Sequence, residues 1–343
     1  MTGLGHYLAQ AKQITGAYRL NYVMPRVRAP LIRTRPAAGT VFILDPAWRG
    51  WILEAICREI AARLPGHHQF HYSTTHLPAA SSYFIAHQNL VAPVLSQNPC
   101  VWRGRRLSWY THPSEYFISP GQFVYSLNQL DGVMSQCSLF RDQLVSDGIA
   151  RERTDVLFGG ADPDMFRPHA RGGGMVGLSM AYYPRKRPER LIELVALLAP
   201  RRVKLIGRNW SQYPDFNRLL EQPNFSYVEA PYADYPRHYS EIDVFVSLAQ
   251  LEGGPIPLIE TMMCNIVPVA SRTGIAPDLI RHGENGFVFD VDAPATTIAG
   301  YVDRAFQNTA DIHATVSHLT WDYFAERIGR WLGYESINDS IQR

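Results

Sequence analysis

The chain has 343 residues, 46% of them hydrophobic and 19% charged, with a formal net charge of +2. This length exceeds what one core usually holds, so we expect two domains, and the charge gives no reason to expect nucleic acid as a partner. Its four cysteines are far apart, so neither a disulfide framework nor a cysteine-based zinc site is indicated. There is no run of 18 apolar residues and no signal-peptide core, and we expect a cytoplasmic protein without a transmembrane helix.

The N-terminal segment is basic. Six Lys and Arg residues and no acid precede Asp45, and we treat residues 1–38 as a basic N-terminal arm. The arm could contact anionic lipid at the inner face of a membrane, where each basic residue contributes about 1 kcal/mol. A polyanionic glycan or glycolipid acceptor, or simply a solvated and partly disordered arm, explains the composition as well. Pro25, Pro30 and Pro36 argue against one long membrane-surface helix.

The rest of the chain alternates between strand-like and helical patterns. In the first half a strand is predicted at 40–45 and a helix at 51–64, followed by strands at 70–73, 82–86, 107–111, 131–135 and 154–158. After residue 168 the predicted strands are 175–180, 203–206, 225–228, 244–248, 267–270 and 286–289, and the predicted helices are 189–198, 236–242, 256–263 and 294–307. Two such series predict two doubly wound α/β domains, over 39–160 and 161–318, facing a central cleft that holds the ligand.

The most informative segment is LEGGPIPLIE, at 251–260. It predicts a Gly-rich loop between a strand and a helix that begins near Pro255, and free N–H groups at such a helix start suit a phosphate. Pro255 has no N–H, so Gly254 and Ile256 are the better donors. Glu252 and Glu260 flank this anion site, where carboxylates are suited to accept hydrogen bonds from sugar and ribose hydroxyls. A sugar nucleotide carries all three of these chemical groups.

Three further motifs stand in a specific order around this segment. They are GADPDMFRP at 160–168, MMCNIVPVAS with GIAPD at 262–278, and GENGFV at 283–288. Together with the Glu-x7-Glu spacing they resemble the family 4 glycosyltransferases, which are retaining enzymes of the GT-B fold. The resemblance is strong over about 155–320, weaker over 105–155 and faint before that. It implies an acceptor-binding first domain, a nucleotide-sugar-binding second domain, and a C-terminal segment, 319–343, whose helix at 321–332 crosses back to the first domain.

The same resemblance implies roles on the donor side. Glu252 would contact the donor sugar near its reacting face, Glu260 would hold the ribose, and the diphosphate would lie against the backbone of Gly253, Gly254, Pro255 and Ile256. A loop carboxylate and an exposed helix position are the alternatives for the two glutamates.

Basic residues are also expected at the diphosphate. Lys186 matches the family's lysine there, but the partner arginine of the family falls on Ala181, so we expect Arg208 or Arg185 to substitute. The alternative for residues 185–190 is a solvated helix start.

On the acceptor side, His112 ends a strand-like run where family members often have a histidine close to the donor sugar. It would donate a hydrogen bond in the transition state, or else it is a structural histidine at a strand end. After the first strand the family usually has a Gly-rich loop, and this chain has Trp48, Arg49 and Trp51 instead. They predict either a platform for a sugar ring or an anionic acceptor, or plain packing between domains. His87 is a weaker acceptor-side candidate, and residues 114–117 are expected to line the acceptor pocket.

Two Asp-x-Asp triplets, at 162–164 and 290–292, would suit a divalent cation in other glycosyltransferases. We assign them to the linker and to a capped turn instead, and we expect no catalytic metal and no cofactor besides the sugar nucleotide.

The sequence thus predicts a retaining hexosyltransferase that acts on a glycan or glycolipid acceptor, as in the synthesis of cell-surface polysaccharides. Retention comes from the resemblance alone. A sugar-nucleotide epimerase or hydrolase, and a non-catalytic sugar-nucleotide-binding subunit, are the alternatives.

Overall fold

The computed structural model describes residues 16–32, 35–113 and 118–334. The chain divides into two compact units, one formed by residues up to Phe158 and from Trp321 onwards, the other by Gly159–Thr320. Each unit contains a parallel six-stranded sheet. This confirms the predicted pair of doubly wound α/β domains.

In the first unit the strand order is β2-β1-β3-β4-β5-β6. The strands are β1 (Ala38–Ile43), β2 (His68–His71), β3 (Ala80–Ile85), β4 (Arg105–Tyr110), β5 (Gly132–Ser135) and β6 (Thr154–Val156). The helices are α1 (Leu20–Arg28), α2 (Ile52–Arg63), α3 (Val91–Gln97), α4 (Pro120–Leu127) and α5 (Ser138–Ser146).

In the second unit the order is β12-β11-β10-β7-β8-β9. The strands are β7 (Met175–Ser179), β8 (Arg202–Ile206), β9 (Phe225–Val228), β10 (Val244–Ser247), β11 (Val267–Ser271) and β12 (Phe287–Phe289). The helices are α6 (Pro188–Leu198), α7 (Phe216–Leu220), α8 (Tyr235–Tyr239), α9 (Ile256–Met263), α10 (Ala276–Leu279), α11 (Ala295–Phe306) and α12 (Ile312–Val316). The central strands β7, β10 and β11 are buried along nearly their whole length, as expected of a parallel sheet covered on both faces.

The last described helix, α13 (Trp321–Leu332), is part of the first unit. Its Phe324 ring lies 4.9 Å from that of Trp109 on β4, centroid to centroid. Arg327 and the indole N–H of Trp331 both donate to the Asp155 carboxylate on β6, at 2.6 and 3.2 Å. These contacts attach the end of the chain to the first sheet.

Residues 16–32 of the N-terminal arm do not fit the alternative of a solvated segment. Residues 20–28 form α1 with Pro25 inside it, and Tyr18, Tyr22, Pro25 and Ala29 are buried. The Tyr22 hydroxyl bonds the hydroxyl of Ser126 on α4 at 2.6 Å. This packing compensates for the N–H that Pro25 lacks, so a short helix persists where the sequence argued only against a long one. Residues 1–15, 33–34, 114–117 and 335–343 lie outside the described part of the chain.

Candidate functional site

The order of strands in the second unit brings two loops together. β7 and β10 are neighbours at the centre of the sheet, and the strands that follow each of them lie on opposite sides. In such a sheet a crevice opens beyond the carboxyl ends of these two strands, where ligands bind. Lys186 follows β7 and Glu252 follows β10, so two of the predicted site residues meet at this position.

Glu252 is the centre of a charged cluster. The Glu252 side chain is 8% exposed, and its carboxylate contacts Nζ of Lys186 and accepts a hydrogen bond from Arg185 at 3.1 Å. Arg185 also donates to the carbonyl of Leu251 at 2.7 Å, and the N–H of Glu252 donates to the Thr273 hydroxyl at 3.2 Å. The loop after β7 is therefore held against the loop after β10 by two cations and one carboxylate.

The charge state of Lys186 is sensitive to its surroundings. Burial, and after it the charge of Arg185, lower the pKa of Lys186 to about 7, while the Glu252 carboxylate favours the ammonium form. Burial also lowers the pKa of Arg185, which stays charged because an arginine pKa begins so high. An anion placed beside Lys186 would therefore raise the pKa of Lys186 and hold its proton.

The start of α9 offers fewer backbone donors than the sequence pattern alone indicates. Pro255 caps the helix and Pro257 is its second residue, and neither has an N–H. The N–H of Leu258 already bonds the carbonyl of Pro255 at 2.9 Å. Few donors of this turn are left for an anion, so Lys186 and Arg185 must supply most of the positive charge there.

Glu260 lies inside α9 and is surrounded by tyrosine side chains. Its side chain is 1% exposed and accepts hydrogen bonds from the hydroxyls of Tyr232 and Tyr239, the latter at 3.1 Å. The Tyr239 hydroxyl is also 3.0 Å from the hydroxyl of Ser179 at the end of β7. Burial raises the pKa of Glu260 to about 7, and the two tyrosine hydroxyls oppose that shift.

Sequence reasoning missed these aromatic neighbours of Glu260. Phe166 packs on Tyr232 and Tyr239, with ring centroids 5.9 and 5.7 Å apart. The repeat of tyrosines at 232, 235 and 239 is at helical spacing and was an available signal. Its meaning depends on the hydroxyls of Tyr232 and Tyr239 reaching Glu260, which no local pattern reveals.

The two arginines proposed to replace the family arginine lie in different places. Arg185 is beside Glu252, as described above. Arg208 follows β8 and is exposed, and its charge opposes the rise that burial and Glu260 cause in the pKa of Tyr235. Arg208 therefore belongs to the side of the site where Glu260 and its tyrosines lie.

Gly274 lies against the backbone of the loop that carries Glu252. Gly274 has a φ of +57°, and a Cβ added there would lie 2.3 Å from the carbonyl oxygen of Gly253. The same carbonyl accepts the N–H of Ile275 at 2.9 Å. The Gly-Ile-Ala-Pro segment thus fixes the backbone next to Glu252.

We predict that Gly274→Ala will lower the free energy of unfolding by about 2 kcal/mol or more, because the left-handed backbone and the contact with Gly253 both disfavour a side chain. Urea unfolding followed by circular dichroism measures the change. Gly300→Ala is the matched control, since Gly300 lies in α11 with nothing within 4 Å of an added Cβ. That change should stabilise the helix slightly. Equal unfolding midpoints for the two variants would contradict the need for glycine at position 274.

Three of the predicted acceptor-side residues lie together in the first unit. The rings of Trp48 and His87 are 5.2 Å apart between centroids. Burial, and then the charge of His112, lower the pKa of His87 to about 4, so His87 is neutral near pH 7. Nδ1 of His87 accepts the N–H of Asn89 at 3.2 Å, which makes His87 the cap of a short helical turn.

His112 follows β4, and its Nδ1 is 2.9 Å from the carbonyl oxygen of Pro113. An Nδ1–H that donates to this carbonyl leaves only a lone pair at Nε2 of a neutral ring. Donation from Nε2 to a sugar hydroxyl therefore requires the imidazolium. The role of His112 at a donor sugar stays a prediction, and residues 114–117, expected to line the acceptor pocket, lie outside the described residues.

The other two members of the predicted platform are arranged differently. Arg49 is exposed, with its guanidinium carbon 4.0 Å from the centre of the Tyr72 ring. Trp51 is 39% exposed and precedes α2. Trp51 is therefore accessible to a ligand, whereas Arg49 is already stacked on a tyrosine.

The Asp-x-Asp triplets have local partners. Asp162 accepts the N–H of Asp164 at 2.8 Å in a turn, and Asp290 and Asp292 each pair with an arginine at the surface. Whether the chemistry needs a metal stays a prediction. Within residues 16–32, 35–113 and 118–334, none of the helices is long and apolar enough to cross a bilayer.

Comparison with known proteins defines the class. Residues 174–316 match the family model described as Glycosyl transferases group 1. No curated protein sequence matches the chain. HepE of Anabaena, solved with UDP, is similar with a TM-score of 0.69 and 15% identity over 86% of this chain and 99% of that one.

Two further structures are similar over comparable lengths. A glycosyltransferase from Rickettsia africae has a TM-score of 0.67 and 13% identity, over 87% of this chain and 100% of its own. The lipopolysaccharide outer core galactosyltransferase WaaB, in its apo form, has a TM-score of 0.66 and 13% identity, over 86% and 99%. The fold is therefore that of GT-B glycosyltransferases, and the matched domain makes the chain an enzyme of the glycosyltransferase class.

Proposed function

We propose that the protein transfers a hexose from a nucleotide-diphosphate sugar to a glycan or glycolipid acceptor, without a metal and with retention, as family 4 enzymes do. The observation that carries the donor side is the cluster of Lys186, Arg185 and Glu252 at the sheet's switch point, beside the start of α9. Two cations there suit a diphosphate, and a carboxylate beside them suits sugar hydroxyls. Glu260, from the same helix, takes the ribose.

In this proposal the departing diphosphate draws Lys186 and Arg185 away from Glu252, and their charge stabilises the leaving group. Glu252 is then free to accept hydrogen bonds from the donor sugar. Glu252 acts as an acceptor of hydrogen bonds in this proposal, and retention follows from front-face attack assisted by the leaving diphosphate. In the transition state, His112 donates a hydrogen bond to the donor sugar.

The acceptor side rests on chemistry that is less specific. Trp48, Trp51 and His87 offer aromatic surfaces for a sugar ring, and Arg49 offers a charge for an anionic acceptor. A glycolipid acceptor would place the enzyme in the cytoplasm at the inner face of a membrane. A role in cell-surface polysaccharide synthesis fits both features.

The donor site is tested by thermal shift against UDP, GDP, dTDP, ADP, CMP and their common sugars, in the presence of EDTA. The complexes of HepE with UDP and UDP-glucose make uridine donors the first to test. A ligand at 100 times its dissociation constant should add about 2.7 kcal/mol of stability. The absence of any shift would overturn the donor site, and a shift that appears only after Mg²⁺ is added would overturn metal independence.

Product analysis separates the rival functions. Release of free sugar without an acceptor would favour a hydrolase, and conversion of the sugar on its nucleotide would favour an epimerase. A protein that binds the donor but transfers nothing to any glycan or lipid extract would favour a binding subunit.

Donor binding should also depend on pH through Lys186. A sugar diphosphate keeps its charge from about pH 6 to about pH 9, whereas free Lys186 loses its proton near pH 7. Above this pKa, Lys186 must take up a proton when the sugar nucleotide binds. Each further pH unit should therefore weaken binding by up to about tenfold. At a pH below the pKa of Lys186 in the free protein, Lys186 is already protonated and its contribution to binding does not change with pH.

Lys186→Met is the control for this pH dependence, measured by calorimetry with the sugar nucleotide found in the screen. Glu260 titrates in the same range, and its ionisation should favour ribose binding, which is the opposite sign. The ratio of wild-type to Lys186→Met affinity cancels that second contribution, and it should fall as the pH rises. A ratio that is independent of pH would contradict a protonated Lys186 at the diphosphate.

A further inference from the structure

Helix α1 has its apolar residues on both sides. Tyr18, Tyr22, Pro25 and Ala29, at helical spacing, are buried against the first unit. The opposite side carries Leu20, Val23, Met24 and Val27, followed by Leu31, which are exposed by 69, 47, 54, 62 and 75%. These five residues are spaced i, i+3, i+4, i+7 and i+11 and form one stripe, which we call the apolar stripe.

The apolar stripe is unusual within this molecule. Of the 12 large hydrophobic side chains that are exposed in the described part of the chain, five lie in this one stretch of residues 20–31. Scattered exposed apolar residues are normal on a soluble surface, but a continuous stripe on one helix marks a contact surface.

Positive charge borders the apolar stripe on both sides. At helical spacing Arg19 and Arg26 lie along one edge of the stripe and Arg28 along the other, and all three are exposed. No acidic residue occurs before Asp45. The combination of an apolar face with a basic rim is that of a helix lying in a membrane interface.

A basic cavity of about 520 Å³ adjoins the same helix. Arg26 contributes to its lining together with Trp102, Arg103, Arg106 and Arg153, and Asp131 is the acid that lines it. The guanidinium carbons of Arg26 and Arg106 lie 5.7 and 5.4 Å from the centre of the Trp102 ring. Since Asp131 pairs with Arg106 at 3.1 Å, the cavity keeps an excess of positive charge that suits a phosphate.

We propose that α1 is a membrane-docking helix: the apolar stripe enters the acyl boundary of an anionic bilayer, and the arginine rim with the adjoining cavity binds lipid phosphates. A second copy of the chain fits the stripe less well, because a two-fold contact along this helix brings the rim arginines of one copy close to those of the other. Anionic headgroups instead neutralise these charges.

The test is co-sedimentation of the full-length protein with vesicles of phosphatidylcholine, with and without phosphatidylglycerol. We expect binding to the anionic vesicles that falls as salt is added. Val23→Glu/Val27→Glu should reduce the partition roughly tenfold or more, since it places charges in the boundary. Arg28→Gln should reduce it roughly fivefold, the effect of about one basic residue near the surface.

Matched controls use equally exposed residues elsewhere. Leu139→Glu/Leu220→Glu changes side chains that are 53 and 51% exposed on α5 and α7, and Arg281→Gln changes an arginine that is 64% exposed. These variants should partition like the wild type, and circular dichroism checks that every variant is folded.

Several results would overturn the proposal. They are no vesicle binding by the wild type, equal binding to neutral vesicles, or equal losses in the control variants. Sedimentation velocity supplies the remaining one: a wild-type dimer that Val23→Glu/Val27→Glu separates into monomers, with vesicle binding unchanged, would assign the stripe to a second copy. The assay contains no sugar nucleotide, so its result is independent of the proposed transferase chemistry.

Discussion

Replacing Glu252 by glutamine should lower kcat/KM for sugar transfer by about a thousandfold while leaving the affinity for the free nucleoside diphosphate unchanged or higher. A thousandfold corresponds to roughly 4 kcal/mol of transition-state stabilisation, the scale on which a buried polar group discriminates when its partner is lost. The carboxylate accepts hydrogen bonds from the sugar, which the free diphosphate lacks. The change also removes the group that competes with the diphosphate for Lys186 and Arg185.

The two readouts distinguish catalysis from folding. Transfer is measured by product formation, and diphosphate binding by calorimetry at several pH values below 7, because loss of the carboxylate lowers the pKa of Lys186 further. Asp292→Asn is the control, since that carboxylate is 83% exposed and pairs with the adjacent Arg187. Wild-type transfer by Glu252→Gln would refute the assigned role, and joint loss of transfer and binding would show that the Glu252 loop had collapsed.

Local patterns predicted most elements of the fold. The structure places β9, α9 and α13 at the predicted residues, and the other predicted elements differ from the observed ones by at most three residues at an end. Their apolar residues repeat with the period of their structure and face a core, which is why pattern reasoning succeeds. In α1 a second apolar face points to solvent and Pro25 interrupts the pattern, so the sequence indicated an arm instead of a helix.

The candidate site was predictable only in part. The position of Glu252 in a loop before a helix follows from its Gly-Gly-Pro neighbours. Its contact with Lys186 joins residues 66 positions apart and depends on β7 and β10 being neighbours. The hydrogen bonds from Tyr232 and Tyr239 to Glu260 join residues 28 and 21 positions apart, and no local pattern signals such contacts.

Lys186 and Glu260 share a property that links the site to stability. Burial lowers the pKa of Lys186 and raises the pKa of Glu260, so both groups are shifted towards their neutral forms in the free protein. A bound diphosphate favours charged Lys186, and ribose hydroxyls favour charged Glu260. Burying charged Lys186 and charged Glu260 therefore costs stability in the free protein. In the proposed complex, the diphosphate and the ribose hydroxyls stabilise these two charges.

Glu260→Gln should accordingly make the protein more stable above pH 7 and weaken its binding of the sugar nucleotide. Glu260 has a folded pKa of about 7, against 4.5 for the unfolded chain, so the native state holds more protons between these values and wild-type stability falls as the pH rises through them. The loss is on the order of 3 kcal/mol once the pH exceeds the folded pKa. Glutamine does not titrate and avoids it.

The expected result is a stability difference between Glu260→Gln and wild type that grows from about pH 5 to about pH 7 and then levels off, measured by urea unfolding. Glu284→Gln, at a side chain 68% exposed, should show no such growth. Nucleotide affinity should fall at least about tenfold, because the amide is a weaker acceptor for the ribose than a carboxylate. A variant that gains stability but binds the nucleotide like wild type would show that Glu260 is only a buried charge held by Tyr232 and Tyr239. A variant that gains stability but binds the sugar nucleotide more weakly would show that the buried carboxylate of Glu260 lowers stability and is needed to bind the ribose.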